Sequence, residues 1–402
     1  MSFNMKKILF LTHLFPYPPN DGGRIVTFNT LKGLVKYGHD VTLCSFIGSN
    51  EKIHENLLSI VSKVHVVKID YNNSISGLIK NLFSPLPYNM YKYVNKEMEK
   101  LIRSLLVKEN FDIIYIDHLH MAYYIKKFRR VLPTIKKILR EHNVESQIMF
   151  RVYKNEKNIF KKYFFWYQYL KLYNYEKNII NLFDKIYMIT EEDKDLILSM
   201  NSSHENIYCL PAGVDTNKYY PMEIKMYDRP TILFLGTMSW LPNIDAVDWF
   251  LKEMFDEIVK KIPNILFLIV GKNPPQYITE LAEKNDNIIV TGFVDDERPY
   301  IASADLVIVP LRIGGGMRIK ILNTLAMRKT VISTKIGAEG IKLSESDIVI
   351  ANTRQEFIDS IVNLIHDQKL NQLYASNGYN TIIENYSNDK ILFKHAQELD
   401  NL

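Results

Sequence analysis

Residues 305–341, DLVIVPLRIGGGMRIKILNTLAMRKTVISTKIGAEGI, limit the fold more than any other stretch of the chain. Asp305 to Leu311 is an apolar run of strand length. Three consecutive glycines follow (Gly314, Gly315, Gly316), then apolar residues at helical spacing, then a second strand from Thr330 to Thr334. Strand, glycine turn, helix and strand in this order are half of a doubly wound parallel sheet, whose ligand crevice lies beyond the strand ends. The glycines allow close approach of backbone to a ligand, and the following helix points its free N–H groups and positive dipole end at the same place. Arg318 and Lys320 fall in the first turn of that helix, where cations oppose the dipole. A bound diphosphate would compensate for their position; the alternative is a loop with two solvated basic side chains.

The chain has 402 residues, long for one domain and sufficient for two, each with its own core. Apolar and charged fractions of 47% and 24% are those of a soluble globular protein. Two cysteines, Cys44 and Cys209, form neither a disulfide framework nor a zinc site. A reducing, cytoplasmic location is expected. The basic N-terminus has too brief an apolar run for a secretory leader, and no apolar run is long enough to span a bilayer. The net charge of +5 is uneven, since residues 1–200 hold 30 Lys and Arg against 19 Asp and Glu. Much of the excess lies between Lys126 and Lys177, where basic and aromatic residues alternate. No nucleic-acid motif accompanies it. An anionic membrane surface suits the mixture better, and makes the protein a candidate for peripheral attachment at the inner face of the membrane. A solvated helix with an aromatic core face fits equally well.

Along the chain, strand Lys7 to Thr12, helix Ile25 to Tyr37 and strand Asp40 to Phe46 form an opening βαβ unit. Its loop ends in Gly22-Gly23-Arg24, a second glycine turn feeding a helix N-terminus. Val64 to Ile69 is a strand, Tyr71 to Pro87 reads as loop, Val94 to Val107 as helix, and Asp112 to Asp117 as a buried strand. Asp117, His118 and His120 stand at that strand's carboxyl end, where ligands meet open α/β sheets. One helix is expected from Phe150 to Leu182, then strand Lys185 to Ile189 and a capped helix start at Thr190. Asp193 and Asp195 read as dipole-favoured acids in that first turn, not as metal ligands; no metal site is expected. The second half begins with strand Thr231 to Gly236, then a one-faced helix Asn243 to Ile262, and strands Ile265 to Gly271 and Asn287 to Val294.

The motif Gly-Gly-Gly-x-Arg-x-Lys-x-Leu, with Thr-Val-Ile-Ser-Thr and Gly-Ala-Glu-Gly after it, resembles the nucleotide-sugar site of family 4 glycosyltransferases, in the subgroup with the triple-glycine turn. These are retaining enzymes of GT-B fold. The resemblance implies two Rossmann-like parallel-sheet domains facing a cleft: an acceptor-side domain (1–205), a hinge (206–226) around Pro-Ala-Gly-Val-Asp at 211–215, a donor domain (227–385), and a C-terminal helix (386–402) returning to the first domain. It further implies that Gly314, Gly315, Gly316, Arg318 and Lys320 hold the diphosphate, that Gly22, Gly23 and Arg24 approach it from the other domain, and that main chain at Val294 meets the base. Gly236, Asn323 and Thr324 complete the donor site. His118 is similar to the family's histidine near the donor sugar, and the Glu141-His142-Asn143-Val144-Glu145 segment is also common there. No cofactor is expected beyond the nucleotide-diphosphate sugar. The acceptor would be a saccharide or lipid-linked saccharide of a bacterial surface glycan.

The family's second glutamate, which binds ribose hydroxyls, is replaced here by Asn323. An amide accepts without charge assistance, a loss of about 1 to 2 kcal/mol, or roughly ten- to thirtyfold in affinity. Arg328-Lys329-Thr330 replaces the usual Gly-x-Pro, and Phe234 to Asn243 lacks the cations many members carry after Leu-Gly. Two other readings stay open: a catalytically silent GT-B protein that partners another transferase, and a nucleotide-sugar epimerase of the same fold.

Overall fold

A computed structural model of the chain describes residues 4–49, 51–129, 134–200 and 206–402. Arg130, part of the basic stretch noted above, lies outside them. The chain divides into two compact units, Met1–Pro211 with Ile391–Leu402, and Ala212–Lys390.

In the first unit, short aliphatic runs form seven strands: β1 (Lys7–Thr12), β2 (Asp40–Gly48), β3 (Lys63–Ile69), β4 (Ile113–Asp117), β5 (Lys136–Glu141), β6 (Lys185–Met188) and β7 (Ile207–Cys209). They pair in parallel in the order β3-β2-β1-β4-β5-β6-β7. Side-chain alternation sends Ile8, Phe10 and Tyr115 to one core and Leu9, Leu11, Ile114 and Ile116 to the other, so both faces are covered, as parallel sheets require. The order reverses between β1 and β4, which leaves a crevice beyond Thr12 and Asp117.

The segment Ile391–Leu402 belongs to this unit. Leu392 packs on Gly33, where an added Cβ would come within 2.8 Å of it. His395 Nε2 is 3.0 Å from the Tyr115 hydroxyl, and the Tyr187 hydroxyl donates to Glu398 at 2.9 Å.

The second unit has six parallel strands: β8 (Thr231–Leu235), β9 (Leu266–Val270), β10 (Ile288–Gly292), β11 (Leu306–Val309), β12 (Thr330–Ser333) and β13 (Val349–Ile350). Their order is β10-β9-β8-β11-β12-β13, with the reversal between β8 and β11.

Several helices differ from their predicted spans. The first begins at Gly22, three residues early, because Asp21 caps it by accepting from the Arg24 N–H at 2.9 Å. The stretch predicted as loop contains helix Ile75–Leu82, capped by Ser74. The single helix expected from Phe150 is two, Glu145–Asn155 and Ile159–Ile179, separated where Asn158 caps the second. The helix from Leu241 widens into a π-turn over Leu251–Phe255 before continuing to Lys261. At Thr190 the capping geometry is present: its hydroxyl accepts from the Asp193 N–H at 2.9 Å and donates to the Asp193 carboxylate at 2.7 Å.

Candidate functional site

Each unit gathers chemistry-bearing residues at its own topological switch point. In the first unit β1 and β4 run in register, Thr12 opposite Asp117, so the residues just beyond them, His13 and His118, come out side by side. His118 has φ +72°, a left-handed conformation uncommon for a residue with a side chain and frequent at functional sites. Its N–H donates to Arg140 O at 2.8 Å, which anchors the turn to β5.

Four imidazoles meet there. His118 stacks on His142 with centroids 3.6 Å apart, His13 stacks on His120 at 4.1 Å, and His13 meets His118 edge-on at 4.6 Å. Asp117, fully buried, accepts from the Thr27 hydroxyl and lies 3.0 Å from His142 Nε2. Burial alone would raise its carboxyl, but His142, His118 and Arg140 outweigh that and hold it well below the usual carboxylate range. Burial, reinforced by the neighbouring rings, lowers His118 and His13 far below an ordinary histidine and His120 to about 3. Those three rings, His13, His118 and His120, are therefore neutral at pH 7, each able to donate one hydrogen bond and accept another. Nε2 of His118, 3.6 Å from the Asp117 carboxylate, and Nδ1 of His13 and His120 are buried without a hydrogen-bond partner among the described residues. Such atoms suit a hydroxylated ligand.

By distance alone, His13, His118 and His120, or Asp117, His118 and His142, could hold an ion, since in each set the ligand atoms lie within 4.8 Å of one another. Nitrogens about 2.1 Å from a tetrahedral zinc must converge to roughly 3.4 Å of each other. The 4.8 Å limit is wider than that, so proximity alone does not make either set a zinc site.

Gly22, Gly23 and Arg24 form the first turn of the helix rather than a loop before it. A Cβ on Gly23 would lie 3.7 Å from the His118 ring, so this turn borders the histidines. The helix N-terminus is already occupied by the Asp21 carboxylate, and Arg24 is paired with Glu51 at 2.7 Å. Those contacts reduce what the turn offers to a diphosphate.

In the second unit the triple-glycine turn follows β11, with Gly314 at φ +123° and Gly316 at φ +78°. Arg318 is the N-cap of helix Ile319–Ala326, so only Lys320 of the two cations is in its first turn. Nη1 of Arg318 donates to Gly315 O and, at 2.9 Å, to Gly316 O, while its guanidinium lies 5.4 Å from the Trp240 ring centroid. Because C=O and N–H of a trans peptide point in opposite directions, gripping these carbonyls turns the following N–H groups away from the guanidinium. Lys320 Nζ donates to Leu235 O at the end of β8 and to Asn243 Oδ1 at 3.1 Å. Burial, then Arg318, lowers its ammonium to about 7.

Asn323 and Thr324 lie on the same helix, Asn323 8% exposed, and the Thr324 hydroxyl is buried without a partner among the described residues. Gly236 is needed for packing, since a Cβ there would meet Asn243 at 2.6 Å. Val294 is half-buried just past β10, whose last residue, Gly292, has φ +70°. Of the donor-side residues named from the sequence, Gly236, the three glycines, Arg318 and Lys320 stand past the ends of β8 and β11, Asn323 and Thr324 lie further along the helix, and Val294 stands beyond β10 at the sheet edge. Sequence reasoning missed His13, Trp240 and Asn243, and named His142 only within its family segment, without a role. Only the register of distant strands and the Trp240 turn bring them in.

Residues 20–218 match the family model described as Glycosyltransferase Family 4, and residues 229–367 the one described as Glycosyl transferases group 1. An uncharacterized 44.6 kDa protein in the cps region of Klebsiella pneumoniae is 26% identical over 400 residues, covering 96% of this chain and 98% of that protein. Sucrose-phosphate synthase from Thermosynechococcus elongatus superposes with TM-score 0.72 at 14% identity over 98% of each chain. Anabaena HepE, solved with UDP and glucose, gives 0.67 at 15% identity over 99% of this chain and 100% of its own. With both halves matched by glycosyltransferase models and both sheets shared with such structures, the chain belongs to the glycosyltransferases of GT-B fold.

Proposed function

We propose that the protein is a retaining glycosyltransferase that moves a sugar from a nucleotide-diphosphate donor to a saccharide or lipid-linked saccharide of a bacterial surface polysaccharide. The observation that carries this reading is the cradle: a left-handed glycine turn, a helix N-terminus, Arg318 and Lys320 at one switch point. A departing diphosphate needs compensating charge, and preorganised donors supply it with little reorganisation. Retention follows from the family resemblance: the acceptor hydroxyl attacks the anomeric carbon on the face the diphosphate leaves. The C1–O bond to phosphate breaks as the new glycosidic bond forms, and a phosphate oxygen takes the hydroxyl proton. His118, neutral, would hydrogen-bond a donor hydroxyl. The cps-region relative supports polysaccharide or capsule assembly as the setting, and HepE's ligands support UDP-glucose as a first donor to try.

Asn323 favours a second reading, a silent partner of another transferase. The two separate in a thermal-shift series with UDP, GDP, TDP and ADP on the wild type, Lys320→Ala and Asn323→Glu. A ligand at a hundred times its Kd adds about 2.7 kcal/mol to the state that binds it. One nucleotide is expected to shift the wild type by several degrees, Lys320→Ala little, and Asn323→Glu at roughly tenfold lower concentration. No shift with any nucleotide at millimolar concentration would overturn the donor reading.

A further inference from the structure

Part of the basic and aromatic stretch does turn into the core, with Phe128 and Tyr175 buried there, but its middle does not. Residues 159–167, the first part of helix Ile159–Ile179, include no buried side chain. Phe160 is 84% and Tyr163 70% exposed, with Ile159 and Trp166 open beside them. The helix Ile75–Leu82 joins this face, because the Tyr167 hydroxyl donates to Leu82 O at 3.1 Å and Gln168 Nε2 to Asn81 Oδ1 at 3.0 Å. It adds Ile79, Leu82 and Phe83, the last 89% exposed. Contiguous exposed apolar side chains of this kind mark an interaction surface.

Charge says what covers it. Residues 147–175 contain six basic residues and one acidic residue, Glu156, and Lys157 and Lys161 are exposed among the aromatics. A cavity of about 490 Å³ opens next to Tyr167, with Leu86 and Leu170 in its lining and the exposed Lys126 and Arg129 at its edge. A second copy of the chain would bring like charge against like. Nucleic acid would neutralise the lysines but leave Ile79, Leu82 and Ile159 without an apolar medium. A bilayer with anionic head groups satisfies both. Aromatic and aliphatic side chains enter the interface while lysines reach the phosphates.

We infer that the face formed by helices Ile75–Leu82 and Ile159–Ile179 docks on an anionic lipid bilayer. The inference rests on the proposed lipid-linked acceptor only for its purpose; its evidence is the surface itself. No helix among the described residues is long and apolar enough to cross a membrane, so attachment through this face is peripheral.

The test is co-sedimentation of the full chain with phosphatidylcholine vesicles, with and without phosphatidylglycerol, at low and high salt. Binding is expected only with phosphatidylglycerol and is expected to weaken with salt. Lys161→Glu with Lys162→Glu should lower the partition coefficient by at least about fivefold per lysine. Phe83→Ser with Phe160→Ser should lower it by about tenfold or more. These side chains are exposed or half-buried, so the variants should keep wild-type unfolding curves and the wild-type nucleotide shift. Equal binding to both vesicle types, no binding to either, or full binding by both variants would overturn the inference. So would transfer of the effect to a single-stranded oligonucleotide with none on vesicles. A missing nucleotide shift with intact vesicle binding would instead count against the donor reading alone.

Discussion

Lys320 shows how one residue couples the candidate site to pH. Its ammonium is lowered to about 7, first by burial and then by Arg318, so at pH 8 the free protein holds it mostly neutral. A diphosphate favours the charged form and raises the group again, so binding takes up a proton. Affinity for the preferred nucleoside diphosphate should weaken as pH rises from 7 to 9, with a slope approaching tenfold per pH unit. Titration calorimetry in buffers of different ionisation enthalpy should report uptake near one proton at pH 8. Lys320→Arg, which cannot lose its charge, should give a flat profile; a flat wild-type profile would remove Lys320 from the diphosphate site. The glycines and both cations were legible in the sequence because they lie within seven residues of one another. The state of Lys320 was not, because it is set first by burial, in a place where its Nζ reaches Leu235 and Asn243 on other elements. The histidine group was hidden for the same reason. His13, His118 and His142 follow three strands that only the order β1-β4-β5 brings together.

At the level of elements, ten of the thirteen strands among the described residues were legible to within two residues, since buried parallel strands are short aliphatic runs bounded by turn residues, whereas β5, β7 and β13 were not read, β7 lying within the stretch expected as hinge. Helices were legible where one apolar face is continuous and illegible where capping decides. Gly22 and Gly23 looked like a loop, yet Asp21 makes them a first turn. Asn158 divides a stretch whose aromatic periodicity continues through it. The end of helix Ile319–Ala326 illustrates a cost visible in both sequence and structure. Arg328, in place of the glycine that the family resemblance implies, has φ +56°, a left-handed conformation that disfavours a residue with a Cβ. Its guanidinium recovers part of that through the Ser376 hydroxyl, 3.0 Å away at an exposed site. Arg328→Gly should therefore stabilise the second unit by roughly 0.5 to 1 kcal/mol despite glycine's greater freedom when unfolded. Urea unfolding followed by tryptophan fluorescence reports on it, because Trp240 and Trp249 both lie in that unit. An unchanged or lower midpoint would mean that the Ser376 contact outweighs the backbone strain.

Across the whole molecule, the two units carry opposite buried titrations and should respond oppositely to alkali. In the first, Glu141 at the end of β5 is 1% exposed and Glu176 fully buried. Glu176 accepts from the N–H groups of Glu145 at 2.9 Å and Ser146 at 3.2 Å, whereas neither oxygen of Glu141 receives a hydrogen bond from a described residue. Burial, then Glu176, pushes the Glu141 carboxyl well above its usual range and lifts the neighbouring Glu145 to about 8, so these native acids keep protons at neutral pH that the unfolded chain has released. Where the native state binds more protons, stability falls as pH rises. The buried histidines of this unit are lowered, so their contribution changes below pH 6.5, leaving the acids to govern the range from 6.5 to 8. In the second unit Lys320 and Lys329 are lowered, so the unfolded chain holds the extra protons and stability rises as pH climbs above 7. Calorimetry should resolve two transitions. That of the first unit should fall between pH 6.5 and 8 by an amount equivalent to about 1.4 kcal/mol per pH unit for one retained proton, a few degrees for a unit of this size. That of the second should hold or rise. Glu141→Gln, which is neutral at every pH, should raise the first transition at pH 8, leave the second unmoved and reduce the slope to the share that Glu145 keeps. If the first transition were insensitive to pH over this range in the wild type, Glu141 and Glu176 would not share a proton, and both carboxyls would have to be charged in the core.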